Sequence, residues 1–223
     1  MTLPVLLTVR GTLNPATLDA ARVLHNETAG SAPGIAAARA LGDLSHRVFA
    51  PITEAPGTKD GELLFIDTWC DPAGIGQFFS NPEVQHQGGR MFAAKDATVW
   101  MPANGALAYH LPPPRTLAKR FIGIARGTVG NVEQAIAAFV DADARSIRDA
   151  RRRGILSHEV FVKVPMPGDT SPPEVLGLDQ WASFEGMLEH YRDEAAMKTL
   201  GPVFTGPPAT SIWATAPGDC SEW

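Results

Sequence analysis

Apolar and polar positions along this chain fall into two rhythms, one of period two and one of helical period. Residues 5–13 form a run rich in strand formers. Asn14-Pro15 then offers a helix N-cap followed by proline in the first turn. Leu18, Ala21, Val23 and Leu24 continue it as an apolar stripe at helical spacing. The helix is interrupted over 25–34, resumes over 35–41 and stops at Gly42. Strands are expected at 44–50 and 63–69, separated by a polar, Pro/Gly-bearing loop. Asp71-Pro72 starts a second helical region that reaches about Phe92 with a break at Asn81-Pro82, and 98–101 is a short final strand.

The same order returns in the second half. Strand 120–129, helix 132–153, strands 156–164 and 175–181, helix 183–200 and strand 210–214 are expected, the first of these helices without interruption. Individual residues repeat too. Leu44-Ser45-His46 recurs as Leu156-Ser157-His158, Asp67-Thr68-Trp69 as Asp179-Gln180-Trp181, and Arg10-Gly11-Thr12 as Arg126-Gly127-Thr128. Two copies of one unit of roughly 100 residues therefore make up the chain, each β-α-β-β-α-β, the ferredoxin-like split arrangement. Helices cover one face of such a sheet, and the other must pack on something. The expected architecture is α+β, with two tandem ferredoxin-like units packed sheet to sheet. The expected boundaries are a first domain over 1–104, a proline-rich linker over 105–118, a second domain over 119–216 and a loose tail over 217–223.

Composition narrows the functional classes only a little. A hydrophobic fraction of 44% and a charged fraction of 19% suit a globular protein, and a net charge of −5 argues against nucleic acid as a partner. Arg151-Arg152-Arg153 closes a helix, where cations suit the dipole. Cys70 and Cys220 have no metal or redox spacing, which fits a reducing cytosol, and the apolar start is cut short by Arg10, so neither a leader peptide nor a membrane span is expected. No Gly-x-Ser-x-Gly elbow, clustered metal ligands or phosphate loop occurs.

The βαββαβ unit whose strand ends in Asp-x-Trp and leads into a helix resembles the dimeric α+β barrel superfamily, specifically antibiotic biosynthesis monooxygenase-like domains, over nearly the whole chain. The residues that carry this are Asp67-Thr68-Trp69 and Asp179-Gln180-Trp181, with Glu189-His190-Tyr191 in the following helix. The resemblance implies a fused pair forming an intramolecular barrel, as a monomeric pseudo-dimer or a homodimer of such chains. It also implies a pocket between sheet and helices. The superfamily includes cofactor-independent oxygenases, haem enzymes and isomerases, so fold does not fix activity. The leading expectation is an oxidative enzyme, cofactor-independent or assisted by reduced flavin, acting with dioxygen on an aromatic or quinone-like molecule. The alternatives are a haem enzyme using His86 or His190, and a non-catalytic binding protein or cofactor-free isomerase or lyase.

Strand period puts Leu63, Phe65, Asp67 and Trp69 on one face. There Asp67 is a candidate base, or else a helix cap, and Trp69 a ring-stacking wall, or else core. His25 and Asn26 lie where copy one breaks a helix that copy two keeps, either aimed at a pocket mouth or part of a surface insertion. His46 and His158, kept in both copies, suggest a hydrogen bond tying strand to helix. His86 is a further catalytic candidate, with Arg90 one turn on. Phe78, Phe79 and Trp100 complete the expected substrate walls. Leu7, Val9 and Phe65 have Gly123, Ala125 and Gly177 as counterparts, a loss of bulk that makes either a cavity or room for the opposing sheet.

Overall fold

The computed structural model describes residues 3–112, 119–165, 168–193, 198–217 and 222. The chain is a mixed α+β protein that divides into two compact units. Unit 1 takes Met1–Thr53, Thr58–Met101 and Thr215–Trp223; unit 2 takes Glu54–Gly57 and Pro102–Ala214. No helix among the described residues is long and apolar enough to cross a membrane.

Unit 1 runs β1 (Val5–Leu13), α1 (Leu18–Glu27), α2 (Ala32–Ala40), β2 (Asp43–Pro51), β3 (Glu62–Trp69), α3 (Pro72–Phe79), α4 (Pro82–Met91) and β4 (Phe92–Pro102). Its sheet has the order β4-β1-β3-β2, all neighbours antiparallel. One face is cored by Val5, Leu7, Val9, Leu63 and Trp69, against Ala21, Leu24, Ala38 and Ile75 from the helices. Thr17, not Asn14, caps α1: its side chain accepts from the Ala20 N–H, while the Asn14 amide donates to the Gly89 carbonyl at 2.5 Å. Strand β4 begins at Phe92, well before the expected 98. Ala93 through Ala97 are all exposed, so no alternation of burial marks the strand in the sequence.

The interruption of the first helix is real and short. The Thr28 hydroxyl donates to the Leu24 carbonyl at 2.7 Å, and the Gly30 N–H turns back to the His25 carbonyl at 2.8 Å. Ser31 then caps α2, its hydroxyl accepting from the Gly34 N–H, with prolines in the first turns of α2, α3 and α4. Gly34 is required here, because a Cβ would lie 2.2 Å from the Thr28 carbonyl oxygen. The stretch is also longer than its unbroken counterpart: Arg10 to His46 spans four residues more than Arg126 to His158.

Unit 2 runs β5 (Tyr109–His110), β6 (Phe121–Thr128), α5 (Val132–Arg153), β7 (Ile155–Lys163), β8 (Glu174–Trp181), α6 (Phe184–Tyr191) and β9 (Ala209–Thr215). Strand order is β9-β6-β8-β7-β5. Helix α5 is one piece of 22 residues, capped by Asn131 and ended by Gly154 at φ 100°. Part of the expected linker is strand: Tyr109 pairs with His158, and His110 with Ser157. The expected Pro113-Pro114 lies outside the described residues, as does Glu194, and the helix expected over 183–200 ends at Tyr191 before that gap. Of the expected loose tail, Glu222 makes a β-bridge with Arg47, and residues 218–221 and 223 are not described.

Candidate active site

Each unit holds one large cavity on the helix side of its sheet, about 570 Å³ in unit 1 and about 470 Å³ in unit 2. Both volumes fall in the range of small-molecule sites. Each is built around a histidine on β2 or β7 placed opposite an aspartate on the neighbouring strand: His46 pairs with Asp67, and His158 with Asp179. Direct cross-strand partners are close enough for their side chains to meet. The Nδ1–Oδ1 distance is 2.6 Å in both units.

The third member differs between the units. In unit 1, His25, in the last turn of α1, lies with its Nε2 3.0 Å from the Nε2 of His46 and its ring stacked on that of His46. Two facing Nε2 atoms can share only one proton. His25 Nδ1 lies 3.3 Å from the Asn26 side-chain oxygen, which selects the Nδ1–H tautomer for His25. Burial, reinforced by the charge of His46 and only partly opposed by Asn26 and Asp67, lowers the His25 pKa to about 4. At neutral pH His25 is therefore a neutral imidazole, with Asp67 on the far side of His46.

In unit 2 the corresponding place beside His158 is taken by Asp143 of α5, 2.9 Å from Nε2, while Asp179 holds Nδ1. Burial opposes the charge on His158, but Asp179 and Asp143 together outweigh it and push the pKa up to about 10. Tyr191 donates its hydroxyl to the second Asp179 oxygen at 2.7 Å, and Trp181 Nε1 reaches the Tyr191 oxygen at 3.3 Å. Burial, with Asp179 beside it, raises the Tyr191 pKa well above its ordinary value. His158 is an imidazolium between two carboxylates, with no lone pair to offer.

The structure brings together His25, Asp67, Trp69, Phe78 and Phe79 around the unit 1 cavity, whose remaining walls include Phe65, Met91 and Phe92. Trp69 stands 5.5 Å from Phe78 and 6.4 Å from Phe79, ring centre to ring centre. Asp67 serves His46; Asp71, not Asp67, caps α3. Asn26 lies behind His25 and outside this cavity, and orients the imidazole.

Three expected site residues fall elsewhere. His86 and Arg90 are exposed on α4 and do not line the cavity; the phase of that helix gives its inner face to Val84, Gln87 and Met91. The Arg90 guanidinium instead bonds Gln87 at 2.8 Å. Trp100 is buried on the opposite face of the sheet, where its Nε1 donates to the Thr8 hydroxyl at 2.9 Å, as Trp213 does to Ser211. Thr8 alternates with the cavity-side Leu7 and Val9, so strand parity turns Trp100 away. Among the described residues on the cavity's wall, Lys95 is the cationic side chain apart from histidine, and it is exposed.

His46, expected to be structural, lies between His25 and Asp67 on the cavity wall. Its signal was the 21-residue separation of His and Asp on paired strands, repeated unchanged in the second copy. The bulk missing from copy two is on the helix side and not against another sheet. A Cβ at Gly123 would lie 2.1 Å from the Tyr191 hydroxyl oxygen, while Gly177 sits beneath Phe139. His190 lines the unit 2 cavity with its ring 5.1 Å from Trp181, and burial lowers its pKa.

Fold and paired strands define a mixed α+β protein with one cavity per sheet, and known structures share that fold. An anthrone oxidase-like protein superposes with a TM-score of 0.64 at 15% identity, covering 95% of this chain and 90% of that one. A candidate monooxygenase from Lactobacillus acidophilus NCFM superposes at 0.61 with 9% identity over 96% and 93%. A candidate chlorite dismutase reaches 0.51 with 10% identity over 98% and 97%. No protein-family model matches the sequence, and no curated protein matches it.

Proposed function

We propose that this chain is a cofactor-independent oxygenase whose active site is the unit 1 cavity, acting on a planar aromatic with an acidic ring methylene or phenol. This reading includes descent from a tandem duplication of one ferredoxin-like unit within the dimeric α+β barrel group. It rests on one observation: a linked His25–His46–Asp67 row opening on a ring-lined cavity. Trp69, Phe78 and Phe79 supply the aromatic wall for the substrate rings. His25, a neutral imidazole on the cavity wall, accepts the substrate proton as its contact with His46 opens, with Asp67 behind His46 to offset the charge. Lys95 at the rim replaces Arg90 as the cation available to a substrate oxyanion. The carbanion passes one electron to dioxygen, the two radicals join as a peroxide, and loss of water leaves a ring carbonyl. Overall, CH₂ plus O₂ gives C=O plus H₂O. The fold shared with an anthrone oxidase-like protein agrees with this chemistry.

The same cavity without turnover would make the chain a carrier. Haem would fall to His190 and not to exposed His86, since His190 is a neutral imidazole on a cavity wall; bound there, the group would supply a redox-active iron. Oxygen uptake with anthrone, in the absence of flavin, separates these readings. Wild type should consume one O₂ per anthrone and His25→Phe should be nearly inert. Tight anthrone binding without oxygen uptake would leave the carrier, and a Soret band on adding hemin, lost in His190→Ala, would move the chemistry to unit 2.

A further inference from the structure

We infer that the unit 2 cavity is a second, non-catalytic binding site for a neutral aromatic carrying a hydrogen-bond donor such as a phenolic hydroxyl, and that it rejects anions. Three features carry this. The first is space built into the strand: Gly123, Ala125 and Gly127 share the helix-side face of β6. Tyr191 fills the place over Gly123 and Phe204 the place over Gly127, while the cavity lies over Ala125. Apolar side chains of Ile147, Leu188 and Leu200 contribute to its walls.

The second feature is the charge of the floor. Asp143 and Asp179 are two carboxylates against one imidazolium, and Tyr191 is a neutral phenol already bonded to Asp179. The surplus is negative, so a ligand carboxylate placed there meets like charge at short range. Arg192 and Asp193, one charge of each sign, are both exposed on the wall. Asp143 spends one oxygen on His158 and its side chain keeps 14% exposure, which leaves an acceptor within reach of a donor-bearing ligand.

The third is what the floor cannot do. Both nitrogens of His158 face carboxylates, so the histidine equivalent to His46 is not placed to take a proton from a bound molecule. His190, the other imidazole on the wall, stands with its ring 5.1 Å from Trp181. The site is independent of the unit 1 chemistry, and it fails or stands on its own measurements.

The test uses the full chain with 2-naphthol, naphthalene and 2-naphthoate, titrated calorimetrically at neutral pH. In the unit 2 site 2-naphthol should bind about tenfold more tightly than naphthalene, the difference expected for one added hydrogen bond to a charged acceptor, and 2-naphthoate should be the weakest of the three. Ala125→Phe fills the cavity and should remove one equivalent of 2-naphthol without changing oxygen uptake by unit 1. In wild-type protein, NOEs should connect the naphthol ring protons with the methyls of Ile147 and Leu188, a readout that does not depend on the variant folding. The inference is overturned if 2-naphthoate matches 2-naphthol, if the naphthol equivalents are unchanged in folded Ala125→Phe, or if those NOEs are missing at saturation. Loss of anthrone oxidation with these results intact would count against the unit 1 proposal alone.

Discussion

Units 1 and 2 place the same histidine opposite the same aspartate at the same distance, and one substitution beside each pair sends them to opposite electrical ends. His46 meets a second imidazole and His158 a second carboxylate. The first arrangement keeps the His25 pKa at about 4; the second pushes that of His158 up to about 10. The strand pair is the same in both units, and the helix packed against it supplies the neighbour that differs. On the proposed reading, a catalytic triad need not be assembled from nothing when a structural dyad is already present.

The largest expected effect lies on His25. Replacing it with phenylalanine should lower the rate of anthrone oxidation by about 10²–10⁴-fold, the usual worth of a positioned base, whereas His158→Phe should leave that rate within a few-fold. Steady-state oxygen uptake checks both. Equal losses would erase the distinction between the units.

Converting one unit toward the other sharpens the comparison. Asp143→His supplies unit 2 with the third member of unit 1. His158, charged up to about pH 10 in the wild type, should then release its proton several pH units lower, as read by the NMR titration of its ring protons. A titration still near pH 10 would mean that Asp179 alone sets the charge.

The two units should also respond to pH with opposite sign. His25 binds its proton less readily folded than unfolded, so its contribution to stability is complete above about pH 6.5 and is lost as pH falls toward 4. His158 binds its proton more readily folded, so its contribution is complete below about pH 6.5 and is lost as pH rises through 10. Each effect is on the order of a few kcal/mol. Thermal melts of His25→Phe and His158→Phe should lose the acid and the alkaline limb of the wild-type profile, respectively.

The smallest effect is expected at Asn26. Asn26→Ala frees His25 to take the other tautomer and should cost about tenfold or less in turnover, with the His25 nitrogen shifts reporting the change of tautomer.

Much of the unit architecture was legible because each copy corrected the other. The unrepeated features were harder to place. His86 and Arg90 looked functional because only copy one has them, but uniqueness carries no information about helix phase, and α4 turns them outward. Trp100 failed on strand parity, since an aromatic in a sheet does not announce which face it occupies. Asp143 gave no signal at all: on an amphipathic helix rich in Asp and Arg, one carboxylate turned inward resembles its exposed neighbours, and only the packing angle of α5 separates them. His25 and Asn26 were found by the broken helix itself.

That break has a consequence for how such a site could arise or be remade. The chain between β1 and β2 is a few residues longer than that between β6 and β7, and it is punctuated by Thr28, Gly30, Ser31, Pro33 and Gly34. On the proposed reading, the distance from scaffold to enzyme is a few added residues and a handful of point substitutions. The route is open in both directions: rewriting those positions with helix formers should heal unit 1 into a second silent copy, and a punctuated α5 is where a designer would begin to wake unit 2.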